Sequence, residues 1–225
     1  MGRVLLEIAV DSAGDAVAAA QAGADRLELC ARLDLDGLTP EAGAVREVLA
    51  RVTVPVVVMI RPRPGDFVYS AAELTQMAAD IRRLAALRPA GFAFGATLAD
   101  GAPEVAACTA LVKFSRDTPC VYHRAFDRAP DPLAALEDLI RLGFRRVLTS
   151  GGAPSALQGA TRIAELIRAA GSRIEVLPGG GIRAGKAAAV AQASGCVQVH
   201  SSARAGGRLD AEEVVRLRQV LDKPE

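Results

Sequence analysis

Five polar residues stand out because each lies in or at the end of a short aliphatic run: Glu7, Glu28, Arg61, His123 and His200. An ionised carboxylate in such surroundings is costly unless it is paired. Two carboxylates side by side separate in pKa, one driven up by its like-charged neighbour and the other pulled down by a cation. General acid and general base can then coexist near neutral pH. These residue types predict Glu28 or Glu7 as a general base. They predict His123 as an acid or as the polariser of a carbonyl, and Arg61 as the clamp on an anion. His200 joins the glutamates. Proton abstraction beside a carbonyl, isomerisation and lyase chemistry all fit this set. The bland alternative is a buried ion network that only fixes the fold. Glu7, Glu28 and His200 also offer donors for a hard divalent metal, without an HxH or HExxH spacing to mark it. A Schiff-base aldolase does not fit, because Lys113, Lys186 and Lys223 all fall in helical or tail segments.

A second group of residues suits anion binding. The run Pro178-Gly179-Gly180-Gly181 precedes a helical segment, and Ser201-Ser202 follows His200. Backbone amides there, with the serine hydroxyls, can hold a phosphate or carboxylate. Ser150 and Gly151 form a weaker version of the same pattern, and Arg63 adds a positive charge. The competing explanation for the glycines is a tight turn. Tyr69 and Tyr122 are expected to pack. Among the thiols, Cys30 alone falls near the polar group.

Positioning these residues requires strands. Apolar, often β-branched runs occur at residues 5–10, 26–29, 56–60, 91–94, 120–123, 146–149, 174–177 and 196–200. Each is followed by a longer segment with helical spacing, at 12–22, 41–51, 71–87, 103–114, 132–142, 155–170, 183–193 and 211–221. Ser70 to Glu73 reads as a capping box, and Asp131-Pro132 places proline in the first helical turn. Eight strand–helix units in a chain of this length predict a closed (β/α)8 TIM barrel of the α/β class, one domain over residues 1–225. In that fold the chemistry lies at strand C-terminal ends. Strand alternation then turns Glu28 with Cys30, Met59 with Arg61, and Gln198 with His200 toward the barrel interior. Strands 8, 1, 2 and 3 are neighbours, so His200, Glu7, Glu28 and Arg61 are expected on one arc of the mouth with His123 facing them.

Composition excludes several functions. With 27 basic and 26 acidic residues, the chain lacks the charge excess that draws proteins to nucleic acid or anionic membrane. No apolar run approaches the ~18 residues of a spanning helix, and the first ten residues carry Glu7 where a leader would be apolar. The 4 cysteines are scattered, with no CxxC pair, which predicts reduced thiols and a cytoplasmic setting.

Specific stretches carry a family resemblance. They are Gly23-Ala24-Asp25-Arg26-Leu27-Glu28-Leu29-Cys30, Gly37-Leu38-Thr39-Pro40, Met59-Ile60-Arg61-Pro62-Arg63 with Gly65-Asp66-Phe67, His123-Arg124-Ala125-Phe126-Asp127, Leu148-Thr149-Ser150-Gly151 and Val199-His200-Ser201-Ser202. Over about residues 4–204 the chain resembles the CutC copper homeostasis family. The resemblance implies a cytoplasmic TIM barrel, often a homo-oligomer, associated with copper and carrying no defined reaction. Two thiols frequent in that family are replaced here by Ala9 and Val68. Cu(I) prefers thiolate and thioether ligands, so copper at Cys30 would need Met59, the histidines or a second chain. Three functions follow as expectations. The first is copper handling. The second is an enzyme acting by acid–base chemistry on a small phosphate- or carboxylate-bearing substrate. The third is a barrel that binds a small anion without turnover.

Overall fold

The run Val56–Met59 is apolar on both faces and buried throughout, as a parallel strand covered on two sides must be. A computed structural model, which describes residues 3–222, shows eight such strands: β1 (Leu5–Val10), β2 (Arg26–Leu29), β3 (Val56–Met59), β4 (Gly91–Phe94), β5 (Cys120–Tyr122), β6 (Arg146–Thr149), β7 (Glu175–Pro178) and β8 (Gln198–Ser201). Each is followed by a helix: α1 (Ala13–Gln21), α2 (Ala42–Arg51), α3 (Ala71–Ala85), α4 (Val105–Ser115), α5 (Pro132–Leu142), α6 (Ala160–Ala170), α7 (Ala184–Ser194) and α8 (Ala211–Leu221). All strand pairings in the sheet are parallel, in the order β7-β6-β5-β4-β3-β2-β1-β8. A single parallel bridge between Gly179 and His200 brings the two outer strands together. The result is the (β/α)8 barrel expected from the sequence.

Helix boundaries follow their capping chemistry. Ser70 and Glu73 form the reciprocal capping box that starts α3. Asp131 accepts from the Leu133 and Ala134 amides to start α5, with Pro132 in the first turn. One expectation was too long. Residues 155–159 form turns, and α6 begins only at Ala160, because Gly159 packs against the Ser150 carbonyl. A Cβ on Gly159 would lie 1.9 Å from that oxygen. The sequence also hid a short hairpin after β8, β9 (Arg204–Ala205) with β10 (Arg208–Leu209). Among the described residues, no helix is long and apolar enough to cross a membrane.

Two separate cores result from strand alternation. Outward residues such as Leu6, Ile8, Leu27, Leu29, Val58, Phe92 and Phe94 join the helices in the larger one. Inside the barrel, Cys30, Val57, Met59, Ala93, Val121, Leu148 and Leu177 form the smaller one. The strands of β8, β1 and β2 contribute charged and polar residues to the interior instead.

Candidate functional site

Register brings the polar interior together. Glu7 is level with Arg26 on one neighbouring strand and with His200 on the other. Glu28 stands one inward position further toward the mouth, level with Ala9. Ala9 is small, so no bulky side chain separates Glu28 from His200.

The contacts are close. Arg26 Nε donates to Glu7 Oε2, and His200 Nδ1 lies 2.7 Å from Glu7 Oε1. His200 Nε2 is 3.9 Å from Glu28 Oε2. The Cys30 thiol donates to the same Glu28 oxygen at 3.6 Å. Below them, Arg26 Nη2 donates to Gln198 Oε1 at 2.9 Å, and Arg146 Nε donates to Glu175 Oε2 at 2.8 Å. Gln198 Nε2 reaches the same Glu175 oxygen at 3.4 Å, so the network runs continuously from β2 to β6. Arg26, Arg146, Glu175 and Gln198 are therefore working parts of the interior. Arg26 shares strand parity with Glu28, and that signal could have identified it from sequence.

Each titratable group responds to this setting. Burial pushes the Glu7 carboxyl up, but Arg26 and the His200 hydrogen bond outweigh it and hold the group at about 2. Burial raises Glu28 and prevails over the pull of His200. For His200 burial acts downward, yet Glu28 and Glu7 together raise it, favouring the imidazolium. The Cys30 thiol is pushed well up by burial and by Glu28, so it stays protonated. One donor atom each from Glu7, Glu28 and His200 lie within 4.8 Å of one another. This trio can hold a cation or pass a proton between the histidine and Glu28.

The other two residues of the expected set form a second group. Arg61 Nη1 donates to the carbonyls of Leu35 at 3.0 Å, Asp36 at 3.3 Å and Gly37 at 3.2 Å, and Nη2 to that of Gly65 at 2.9 Å. Its guanidinium lies 5.1 Å from the centre of the Phe67 ring. His123 packs on the same ring at 4.8 Å and accepts from the Ala125 amide through Nδ1 at 3.3 Å. Burial and then Arg61 lower His123 to about 3, so the imidazole is neutral. Among the described residues, neither Arg61 nor His123 forms an ion pair or hydrogen bond with Glu7, Glu28 or His200. The five residues expected to converge are thus two adjacent groups.

The residues expected to bind an anion have internal partners in several cases. After β6, Asp127 accepts from Thr149 Oγ1 at 2.5 Å, from the Ser150 amide at 3.0 Å and from the Gly152 amide at 3.2 Å. The Gly151 amide donates to Thr149 Oγ1 at 2.8 Å. A carboxylate of the chain itself therefore takes the donors of this loop, and Arg124 braces both Asp127 and the Ser150 hydroxyl. Ser201 Oγ donates to the Ile182 carbonyl at 2.7 Å, while Ser202 is exposed. Arg63 pairs with Glu73 and Asp66. In the loop after β7, Gly179 bridges to His200, and a Cβ on Gly180 would sit 3.2 Å from that of Ser150. Gly181 is exposed at the turn. Tyr122 faces the helices and donates to the Ala96 carbonyl at 2.8 Å, a packing role.

The other three cysteines lie away from this site. Cys108 and Cys120 belong to the outer core, and Cys196 precedes β8. All four are free and buried.

Comparison with known proteins is consistent across sequence and structure. The pattern of the CutC family matches residues 4–205. A human protein named copper homeostasis protein cutC homolog is 47% identical over 200 residues, covering 89% of this chain and 73% of its own. A Xanthomonas campestris family protein CutC is 40% identical over 232 residues, covering 96% and 97%. The crystal structure of a CutC copper homeostasis protein from Streptococcus agalactiae superposes with a TM-score of 0.84 at 32% identity, covering 88% of this chain and 98% of that one. Phosphoribosylanthranilate isomerase from Pyrococcus furiosus shares the barrel fold, with a TM-score of 0.63 at 14% identity over 97% of this chain and 98% of its own.

Proposed function

The chain belongs to the CutC family, and from that premise we propose that it is a copper-handling barrel whose ion is held by Glu7, Glu28 and His200. The observation that carries this reading is the convergence of three donor atoms from three strands within 4.8 Å, beside a fourth, sulfur donor at Cys30. The donor set decides the oxidation state. Cu(I) would call for two or more soft ligands, whereas Cys30 is the one thiol here and keeps its proton. Two carboxylates and an imidazole suit a borderline divalent ion, and Cu2+ stands at the top of the divalent affinity order.

The chain's own groups are set for exchange rather than for permanent storage. Glu7 is already ionised by Arg26, so one ligand is ready. His200 must give up a proton before it ligates, and so binding competes with the imidazolium. Arg26 holds Glu7 in place from the far side, as an outer partner that orients a ligand.

Untagged protein titrated with Cu2+ by calorimetry, with metal content measured after dialysis, tests the proposal. About one ion per chain is expected. Glu28→Gln and His200→Gln should each weaken binding by at least about 10–100-fold, the range seen when only an outer partner of a ligand is lost. Cys30→Ser should change it by less than about threefold. Undiminished binding in both Glu28→Gln and His200→Gln, or loss of binding in Cys30→Ser, would move the ion elsewhere.

A further inference from the structure

We infer that the mouth of the barrel carries a second, separate subsite, for the carboxylate of a small organic acid, formed by Arg61 Nε, Tyr69 Oη and His123 Nε2. These three are the buried side-chain polar atoms without a protein partner among the described residues. Unpaired buried polar atoms are uncommon in folded proteins, and each asks for an explanation. Here two of the three lie against one aromatic ring, and the third belongs to the loop that carries that ring. Arg61 and His123 both lie on Phe67, and Tyr69 follows two residues later in the same loop. Arg61 and His123 are 4% and 3% exposed.

The chemistry of the three atoms selects the ligand. A guanidinium Nε can only donate. His123 accepts through Nδ1, so Nε2 carries the proton and also donates. The tyrosine hydroxyl can do either. Two obligatory donors beside a single formal positive charge match a monoanionic oxygen ligand and repel a metal cation. The donors are also held in place. Four carbonyls fix the Arg61 guanidinium, so its Nε direction is set before a ligand arrives. His123 leans into the room left by Gly95, directly after β4, where a Cβ would lie 2.8 Å from Nδ1. Phe67 supplies an apolar wall, where a charge-assisted hydrogen bond is strong. The subsite sits at the ends of β3 and β5, on the face of the barrel where ligands bind in this fold. It needs no ion at the glutamates, so it stands or falls independently of the copper reading.

The test uses the full chain, stripped of metal with EDTA. Acetate is titrated against chloride at matched ionic strength, with thermal unfolding and the His123 Nε2–H resonance as readouts. Acetate should raise the unfolding temperature saturably and shift that resonance. Tyr69→Phe, an isosteric change, should weaken acetate binding by about tenfold, and His123→Phe should abolish it. The inference is overturned if wild-type protein shows no saturable response, or if both variants respond as the wild type does. A stronger response to inorganic phosphate than to acetate would overturn the assignment to a carboxylate. If His123→Phe fails to fold, the Tyr69→Phe titration and the wild-type resonance still decide the matter.

Discussion

The interior of this barrel has two sides that treat polar atoms in opposite ways. On β8, β1 and β2 the inward residues are Gln198, His200, Glu7, Arg26 and Glu28, and among the described residues none of their side-chain atoms is left buried and unpaired. From β3 to β7 the inward layer is mostly Val57, Met59, Ala93, Val121, Leu148 and Leu177, with Arg146 and Glu175 at the starts of β6 and β7 tied into the charged network, yet three polar atoms at its upper edge lack partners. The contrast follows from the cost of burial. Many charges can share an interior only as a connected network. A few donors on an apolar wall can remain open, because the surrounding structure holds them, and they are then free to meet a ligand.

The largest effect should come from breaking the connected side. Arg26→Met keeps most of the side-chain volume but leaves Glu7 with His200 as its remaining close cation. Removing one partner of a buried pair typically costs about 3–5 kcal/mol, and urea unfolding at pH 7 should show a loss of that size. A loss under about 1 kcal/mol would mean that water already screens the network, and the two sides would then differ far less than their contacts suggest.

Acid should separate the sides more gently. His123 titrates at about 3 in the folded chain against 6.5 for an ordinary imidazole. Its folded pKa is the lower one, so the unfolded chain binds more protons between those values. Stability is therefore complete above pH 6.5 and declines as the pH falls toward 3. Between pH 6.5 and 4.5 this residue should cost about 2–3 kcal/mol. His200 has the opposite sense. Its folded pKa is raised, so its contribution is whole below 6.5 and fades as the pH climbs through the folded value. Unfolding free energies of wild type and His123→Phe, measured across pH 4.5–6.5, isolate the first effect. Equal slopes would show that His123 is not held neutral by its surroundings.

Strand alternation made much of this legible in the sequence. The parity that turned Glu28 and Cys30 inward was sufficient to place them, and neighbour order was sufficient to bring His200 to Glu7. The same parity applied two residues earlier leads to Arg26, whose charge lies at the start of a strand rather than at the end where this fold gathers its chemistry. Arg61 was placed on the right strand end, but its partners are loop carbonyls at residues 35–37 and 65. No periodicity reports where an irregular loop turns its oxygens. The part played by Asp127 is hidden for a similar reason. Its role depends on the loop after β6 folding around it, a contact across more than twenty residues. Tyr69 was expected to pack, and its ring does so over Arg63. Whether its hydroxyl finds a partner depends on how the loop packs, which no residue spacing reports.

That hydroxyl provides the smallest test of the contrast. In the ligand-free chain Tyr69→Phe deletes a buried oxygen that has no protein partner, and so no hydrogen bond is lost and a desolvated polar atom is removed. Burial pushes the phenol up to about 12, so the group is neutral and its loss changes no charge at working pH. The stability of the metal- and acetate-free protein should therefore stay within about 0.5 kcal/mol of wild type, read by urea unfolding at pH 7. A loss of more than about 1 kcal/mol would mean that the oxygen is already satisfied, by ordered water bound as firmly as a side chain would be. The apolar side would then be as closed as the charged one, and the difference between them would lie in what satisfies the polar atoms rather than in whether they are satisfied.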